Sequence, residues 1–420
     1  MNVRSVRGTH DILPGSVELW QEIEEKTRLL FRRYGYGEIR TPVLEETNLF
    51  CRSLGLETDI VQKEMYTIPA RRGRGISLRP EGTAPVVRSY LENHLNRGSG
   101  LTKLYYVGPM FRRERPQKGR YRQFHQIGAE VLGSDHPGIE AEVVEMLHVL
   151  LDDLGVRSVR LLVNSVGCPS CRPAYVRILQ ERLLAESDLC AECRKRSRRN
   201  PLRVLDCKKP PCSPVIDNLP SILDHLCREC REHFRRFREL LDLMAIPYSV
   251  TPRLVRGLDY YVRTTFEMVT DRLGPTQNAL LGGGRYDGLS ELLEGPPAKG
   301  FGFGLGLERL VLLLSRKSEL AAAYRPPRPE IFLAYLNETS LQQAFILARD
   351  LRREGIFAYL DFGGRSLRSQ MRLANRLGAE FVCVIGDDEI RTGLYSIKRM
   401  ADGAQTRLQQ GGIPRHLRSA

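Results

Sequence analysis

Long apolar runs are largely absent from this 420-residue sequence, and the longest purely aliphatic stretch is only Leu310 to Leu314. That is far short of the roughly 20 residues needed to cross a bilayer, so no membrane partner is expected. The N-terminus is basic but has no apolar stretch behind it, which argues against a signal peptide and predicts a cytoplasmic protein. Neither Gly-x4-Gly-Lys-Ser/Thr nor Gly-x-Gly-x-x-Gly occurs, which excludes the P-loop and the dinucleotide fingerprint as routes to a nucleotide. Acidic residues are outnumbered 50 to 64 by basic ones; the net charge of +14 and pI near 9.4 favour a polyanionic partner. Tryptophan occurs once, yet 42% of residues are hydrophobic, ordinary for a globular chain that is too long for one core. Two or three domains are expected.

The stretch from Gly108 to Glu130 organises the rest. Tyr105, Tyr106, Val107, Met110 and Phe111 lead into it and Gln123 to Ile127 lead out, with Pro116, Lys118 and Gly119 marking a turn between two strands. Arg112, Arg113, Arg115, Arg120 and Arg122 crowd the hairpin, alternate with aromatic rings and end at a carboxylate. Guanidinium forks take phosphate oxygens two at a time and a ring stacks on a base, so the pattern suits a nucleoside triphosphate.

Around it, Val17 to Tyr34 has apolar residues at helical spacing, and Glu38 to Glu45 reads as a short strand limited by Pro42. In Ser77 to Pro85 a strand ends at Pro80, and Thr83 is placed to cap a helix while Glu81 is displayed at the turn. A carboxylate beside a hydroxyl is also a way to hold a small cation. Leu254 to Tyr261 reads as strand, followed by Thr264 to Val269; the glycines Gly282 to Gly284 permit a close backbone approach. Gly300 to Arg309 alternates glycine with large apolar residues, a strand with one bare face, before a helix from Leu310 to Ser315. After a linker rich in Ala, Arg and Pro, strands and helices alternate from Ile331 to Ile385, predicting a small α/β domain with a largely parallel sheet.

Between Cys168 and Leu243 the composition shifts to Cys, Arg and Pro. Four close pairs occur: Cys168 with Cys171, Cys190 with Cys193, Cys207 with Cys212, and Cys227 with Cys230. In a reducing compartment such pairs match the knuckles of tetrahedral zinc, and eight thiolates suffice for two closed sites. The alternative is a set of unmetallated thiols at helix ends. Spacing does not reveal which knuckle pairs with which.

Taken together these segments are recognisable. Tyr106 to Glu130 resembles motif 2 of the class II aminoacyl-tRNA synthetases, Gly302 to Arg309 resembles motif 3, and Val17 to Glu45 stands where motif 1 would. Leu78 to Thr83, the Arg-Gly-Leu-Asp-Tyr-Tyr within Leu254 to Tyr261, and Gly282 to Leu289 resemble the histidyl-tRNA synthetase family more specifically. Gly364 to Met371 is similar to its anticodon-binding domain.

The resemblance implies an α+β catalytic domain with an antiparallel sheet, an inserted, mainly helical Cys-rich module and a C-terminal α/β anticodon-binding domain. Its boundaries are a catalytic core at 1–165 and 249–318, the insert at 166–248, a linker at 319–329 and the anticodon-binding domain at 330–420. It implies a homodimer formed through motif 1 and ATP-dependent ligation of L-histidine to tRNA(His) through histidyl-adenylate, with Mg2+ on the phosphates and structural Zn2+ in some members. In roles, Arg112 and Arg256 would be catalytic at the α-phosphate, Glu114 would hold the adenine, Phe124 and Arg309 would sandwich it, and Arg120 would hold the outer phosphates. Glu81, Thr83, Arg112, Gln126, Glu130, Arg256, Tyr260, Tyr261 and Tyr286 would surround histidine. Gln117 and Lys118 would touch the tRNA acceptor end, where the family expects an extra 5′ guanine. Two other functions compete. A catalytically dead regulatory paralogue should lack the C-terminal domain and parts of these signatures, and a zinc-dependent nucleic-acid-binding protein leaves Glu81, Arg112, Arg256 and Arg309 unexplained.

Overall fold

A computed structural model describes residues 3–69, 75–98, 100–117, 119–274, 278–315 and 327–419. The chain divides into two compact units, Met1–Ala322 and Ala323–Ala420.

The first unit opens with helix α1 (Val17–Arg33), whose Trp20, Ile23, Thr27, Leu30 and Phe31 form its buried stripe. The strands that follow are β1 (Gly37–Glu38), β2 (Leu44–Glu46), β3 (Tyr66–Ile68), β4 (Ile76–Leu78), β5 (Thr102–Phe111) and β6 (Gln123–Leu132). Further along come β7 (Arg160–Ser165), β8 (Tyr248–Val250), β9 (Val262–Val269), β10 (Ala279–Arg285) and β11 (Gly300–Gly306). Eight of them make one sheet in the order β1-β5-β6-β11-β10-β9-β7-β8, and β2-β4-β3 make a small second one. The large sheet is antiparallel except at its two edge pairs, β1 with β5 and β7 with β8.

Alternation along these strands decides what each face is for. Ile127, Ala129 and Val131 of β6, Phe301, Phe303 and Leu305 of β11, and Phe266 and Met268 of β9 all enter one apolar core. Besides α1 this unit has helices α2 (Thr47–Leu54), α3 (Thr83–Glu92), α4 (Pro137–Asp153), α9 (Leu289–Leu292) and α10 (Leu307–Ser315), those between α4 and α9 lying in the Cys-rich segment. The same core takes α1, α4 and α10. Gln126, Gly128 and Glu130, and Gly302 and Gly304, therefore stand on the opposite face.

Three local readings change. The expected strand from Glu38 to Glu45 is split, because buried Arg79 draws the chain aside. Its guanidinium donates to Thr41 O at 2.9 Å, Thr41 Oγ1 at 2.8 Å and Pro109 O at 3.0 Å. Thr83 does not cap helix α3 (Thr83–Glu92): Gly82 holds that position and the Glu81 carboxylate takes the free amides of Thr83 and Ala84, at 2.7 and 2.8 Å. Residues 254–261 are not a strand. They form an irregular loop, and the Asn164 side chain, rather than a strand partner, takes Leu254 O at 2.9 Å.

The Cys-rich segment carries helices α5 (Arg172–Leu184), α6 (Ala191–Arg199), α7 (Ser213–Asp217) and α8 (Arg228–Leu243). Its second half is continuous with the sheet's core, since Phe234, Phe237 and Leu241 of α8 pack into it. A buried cluster pins it further: Glu140 of α4 accepts from His233 Nε2 at 2.7 Å and from Arg285 Nε at 2.6 Å.

In the second unit β12 (Ile331–Tyr335), β13 (Ala358–Leu360), β14 (Phe381–Ile385), β15 (Leu394–Arg399) and β16 (Gln405–Gln409) order as β13-β12-β14-β15-β16. The first three are parallel and the last two antiparallel, so the sheet is mixed rather than largely parallel. The mostly exposed, polar β16 has no apolar alternation to announce it. Of the expected linker at 319–329, residues up to 326 lie outside the described residues.

Candidate active site

The bare face of the sheet is a floor of glycines. In register, Gly282 lies across from Gly304, Gly284 from Gly302, and Gly304 from Gly128. A Cβ added to Gly302 would sit 1.8 Å from Glu130 Oε2, and one on Gly304 would sit 1.7 Å from Gln126 Nε2. What lies on the stripped strand is thus a set of polar side chains from its neighbours.

Two carboxylates are buried here. Glu81 is held by the two amides of α3, and burial pushes its carboxyl above the ordinary range despite those bonds. Glu130 is fully buried; Thr83 Oγ1 donates to its Oε1 at 2.7 Å and Tyr286 Oη donates to its Oε2 at 2.7 Å. Desolvation lifts Glu130 to about 8, with Glu81 adding to the rise. The rings of Tyr260 and Tyr261 are 4.8 Å apart, and Tyr260 is 5.8 Å from Tyr286. Tyr260 Oη and Gln126 Oε1 are buried without a partner. An orphaned hydroxyl and an orphaned amide oxygen beside two carboxylates form a site that is completed by a ligand with several hydrogen-bonding groups.

Next to it the arginines gather. Arg112 Nε donates to Pro80 O at 2.9 Å and its guanidinium lies 5.3 Å from the centre of the Phe124 ring. Glu114 pairs with Arg120 at 3.1 Å. Arg309 stands within α10, which begins three residues earlier than expected, and is tied to Ala279 O and Gly119 O; burial and then the nearby Arg120 lower its proton affinity. Arg256 lies against Gly282, where an added Cβ would meet its guanidinium at 2.6 Å. Burial opposes its charge, but its partner Glu267 raises its proton affinity, so it stays cationic.

Glu81, Thr83, Glu130 and Tyr286 are thus brought into one hydrogen-bonded cluster with Tyr260 and Tyr261 beside it. Gln117 lies on the hairpin turn, exchanging backbone bonds with Arg120 at 2.9 and 3.0 Å, while Lys118 lies outside the described residues. Sequence reasoning missed Tyr106, whose ring fits between Gly82 and Gly128: a Cβ on either would come within 2.3 Å of it. Those two glycines were its only signal. It also missed Glu267, the partner of Arg256, and the side chains that brace the 254–261 loop. Asn200 Nδ2 donates to Asp259 Oδ1 at 3.0 Å and Arg203 lies against Gly257.

The eight cysteines resolve into two groups, Cys168, Cys171, Cys227 and Cys230, and Cys190, Cys193, Cys207 and Cys212, each with its sulfurs within 4.8 Å of one another. Each group joins two knuckles. Amides face several sulfurs, as from Cys230 N to Cys227 Sγ at 3.5 Å and from Cys193 N to Cys190 Sγ at 3.4 Å. Four cysteine sulfurs at this separation are the donor set of a closed zinc site.

Residues 8–310 match the family model described as histidyl-tRNA synthetase, and residues 330–419 match that of an anticodon binding domain. The histidine--tRNA ligase of Syntrophotalea carbinolica is 49% identical over 418 residues, covering 99% of this chain and 98% of the relative. That of Solibacter usitatus is 49% identical over 420 residues, covering 100% and 99%. The crystal structure of apo Staphylococcus aureus histidyl-tRNA synthetase superimposes with a TM-score of 0.80 at 36% identity, covering 99% of each chain.

Proposed function

The chain belongs to the histidyl-tRNA synthetase family, and from that premise we propose that the Glu81–Glu130 cluster binds L-histidine while the neighbouring arginines bind ATP. The activity is the ATP-dependent attachment of histidine to tRNA, which sets aside the regulatory and the zinc-dependent nucleic-acid-binding alternatives. The observation that carries the site is the pair of buried carboxylates at the edge of the glycine floor, beside the Tyr260 hydroxyl and the Gln126 amide oxygen, both left without partners.

Histidine presents an ammonium, a carboxylate and two ring nitrogens. The ammonium is compensated by Glu81 and by Glu130, which on binding gives up the proton that burial otherwise keeps on it, while Tyr260, Tyr286 and Gln126 supply partners for the ring. An analogue lacking a ring nitrogen leaves a buried group unpaired, and that penalty provides selection. The histidine carboxylate oxygen then attacks the α-phosphorus of ATP, the bond to the β-phosphate oxygen breaks, and pyrophosphate leaves with that electron pair. Arg112 and Arg256 neutralise the charge growing on the α-phosphate, and Arg256 is preorganised for it by Glu267 and by the bare backbone of Gly282. Glu114 and the stack of Phe124 and Arg309 hold the base; Arg120 meets the outer phosphates, whose charge Mg2+ shares in the ATP complex. In the second step the terminal ribose hydroxyl of tRNA(His) takes the acyl group and AMP is released, with the turn holding Gln117 and Lys118 at the acceptor end.

We place Zn2+ in the two cysteine groups as structural metal, a homodimer through α1 and the strand after it, and the protein in the cytosol. Among the described residues no helix is long and apolar enough to cross a membrane. The catalytic core at 1–165 and 249–318, the insert at 166–248 and the anticodon-binding domain at 330–420 are retained as functional boundaries.

The test is histidine-dependent exchange of pyrophosphate into ATP without tRNA. Exchange with histidine alone among the amino acids, reduced roughly 100- to 1000-fold in Arg256→Ala, is the expected result for removal of one preorganised donor. Folded protein with full exchange in that variant would remove Arg256 from the chemistry.

A further inference from the structure

We propose that Arg172 is a positioning residue for histidine binding, clamping the Tyr260–Tyr261 loop to the first four-cysteine group. The proposal rests on the assignment of Tyr260 and Tyr261 to the histidine site.

Residues 254–261 belong to no helix or strand, so their backbone groups must find partners elsewhere. Arg172 directly follows Cys171 and opens α5, and its own amide donates to Cys168 O at 2.9 Å. Its guanidinium reaches three carbonyls: Nε donates to Val166 O at 2.9 Å, and Nη2 donates to Gly167 O at 3.1 Å and also to Tyr261 O. Two of these carbonyls lead into the Cys168 knuckle, and the third ends the substrate loop.

A backbone staple runs beside the clamp. Arg263 N donates to Gly167 O at 2.8 Å and Val166 N donates to Arg263 O at 2.7 Å. To make that pair Arg263 adopts φ +51°, a left-handed conformation that β-sheet residues avoid. Gly167, at φ +69°, lets the turn pass Cys171 Sγ, which would lie 3.0 Å from a Cβ there. At the other end, the Tyr261 ring lies against the floor, with its Cδ1 2.9 Å from where a Cβ on Gly284 would be. A displacement of the Tyr261 carbonyl therefore moves a ring of the histidine site. Arg172 supports that ring through its backbone and has no hydrogen bond to Glu81, Glu130 or Arg256. The Arg172 side chain, with the backbone pair beside it, joins the geometry of the cysteine group to the affinity for histidine.

The experiment measures histidine binding to the full-length protein by calorimetry, and KM for histidine and for ATP in pyrophosphate exchange. Wild type, Arg172→Ala, Arg172→Lys and Glu81→Gln are compared. Losing a charge-assisted hydrogen bond at a buried carbonyl should weaken histidine binding roughly 10- to 100-fold in Arg172→Ala. KM for ATP and the metal content should stay within about twofold of wild type, since the cysteine ligands themselves are kept. Arg172→Lys, with one compact ammonium in place of a fork, should fall between the two; it carries the test if the alanine variant does not fold. Unchanged histidine binding in both Arg172 variants, with Glu81→Gln impaired, overturns the clamp alone. Unchanged binding in Glu81→Gln as well overturns the site assignment and the clamp with it. Histidine and ATP constants that worsen together, with metal lost, reduce Arg172 to a structural residue and overturn the proposal.

Discussion

Glu130 makes the protein's stability depend on pH in the direction opposite to most carboxylates. Its folded-state value is raised from 4.5 to about 8, chiefly by desolvation. Below pH 4.5 the carboxyl is protonated whether the chain is folded or not, and its stabilising contribution is fully present. Between pH 4.5 and 8 the unfolded chain has released the proton while the folded chain still holds it, so stability falls as pH rises. At about 1.4 kcal/mol per pH unit the whole interval is worth on the order of 5 kcal/mol, which is comparable to the stability of a small domain. Glu130→Gln keeps the shape and an acceptor for Thr83 but cannot ionise. Urea unfolding followed by the fluorescence of Trp20 reports the first unit, because this sole tryptophan is buried in its core. The difference in stability between wild type and Glu130→Gln, plotted from pH 5 to 8, should shift against wild type by about 1.4 kcal/mol per unit. A difference that stays flat across that range would falsify the reasoning, because it requires Glu130 to be ionised in the folded protein.

Other outcomes follow from single contacts. Gly304→Ala places a Cβ on the end of the flexible Gln126 side chain rather than on backbone; the chain should fold, KM for histidine should rise about 10-fold or more and KM for ATP should change little. Breaking the fully buried Arg285–Glu140 pair with Arg285→Met should cost about 3–5 kcal/mol in the same unfolding assay, and adding Glu140→Gln should restore part of it. Elemental analysis of the purified protein should find two zinc ions per chain, and Cys227→Ser should lower the count by one. A count near zero in protein that folds and exchanges pyrophosphate would leave the cysteines as thiols.

Much of the site could be read in the sequence because its signals are local. Alternation of glycine with Phe and Leu from Gly300 to Gly306 says that one strand face is bare, and period two allows no other reading. Arginine crowding across the hairpin and the carboxylate at the strand end near Pro80 are likewise properties of short segments. They identified phosphate and cation chemistry before any fold was known. The helix of Val17 to Arg33 followed from its apolar spacing in the same way.

What remained hidden depends on residues far apart in the chain. Leu254 to Tyr261 has the composition of a strand, yet Asn164 and Arg172 take carbonyls at its two ends and Asn200 takes Asp259, so it stays irregular. The Glu81 carboxylate rather than the Thr83 hydroxyl takes the first amides of α3, since Thr83 Oγ1 is committed to Glu130, on a strand that only the folded sheet brings near. The grouping of Cys168 and Cys171 with Cys227 and Cys230 is likewise a matter of which helices meet. By itself the sequence determined which chemical groups each segment carries and which face it shows, since spacing along a backbone of known period sets both. Only the tertiary structure decided which of those groups meet and which are stripped of water, and hence how far Glu130 departs from an ordinary carboxylate, because desolvation and pairing belong to the assembled fold.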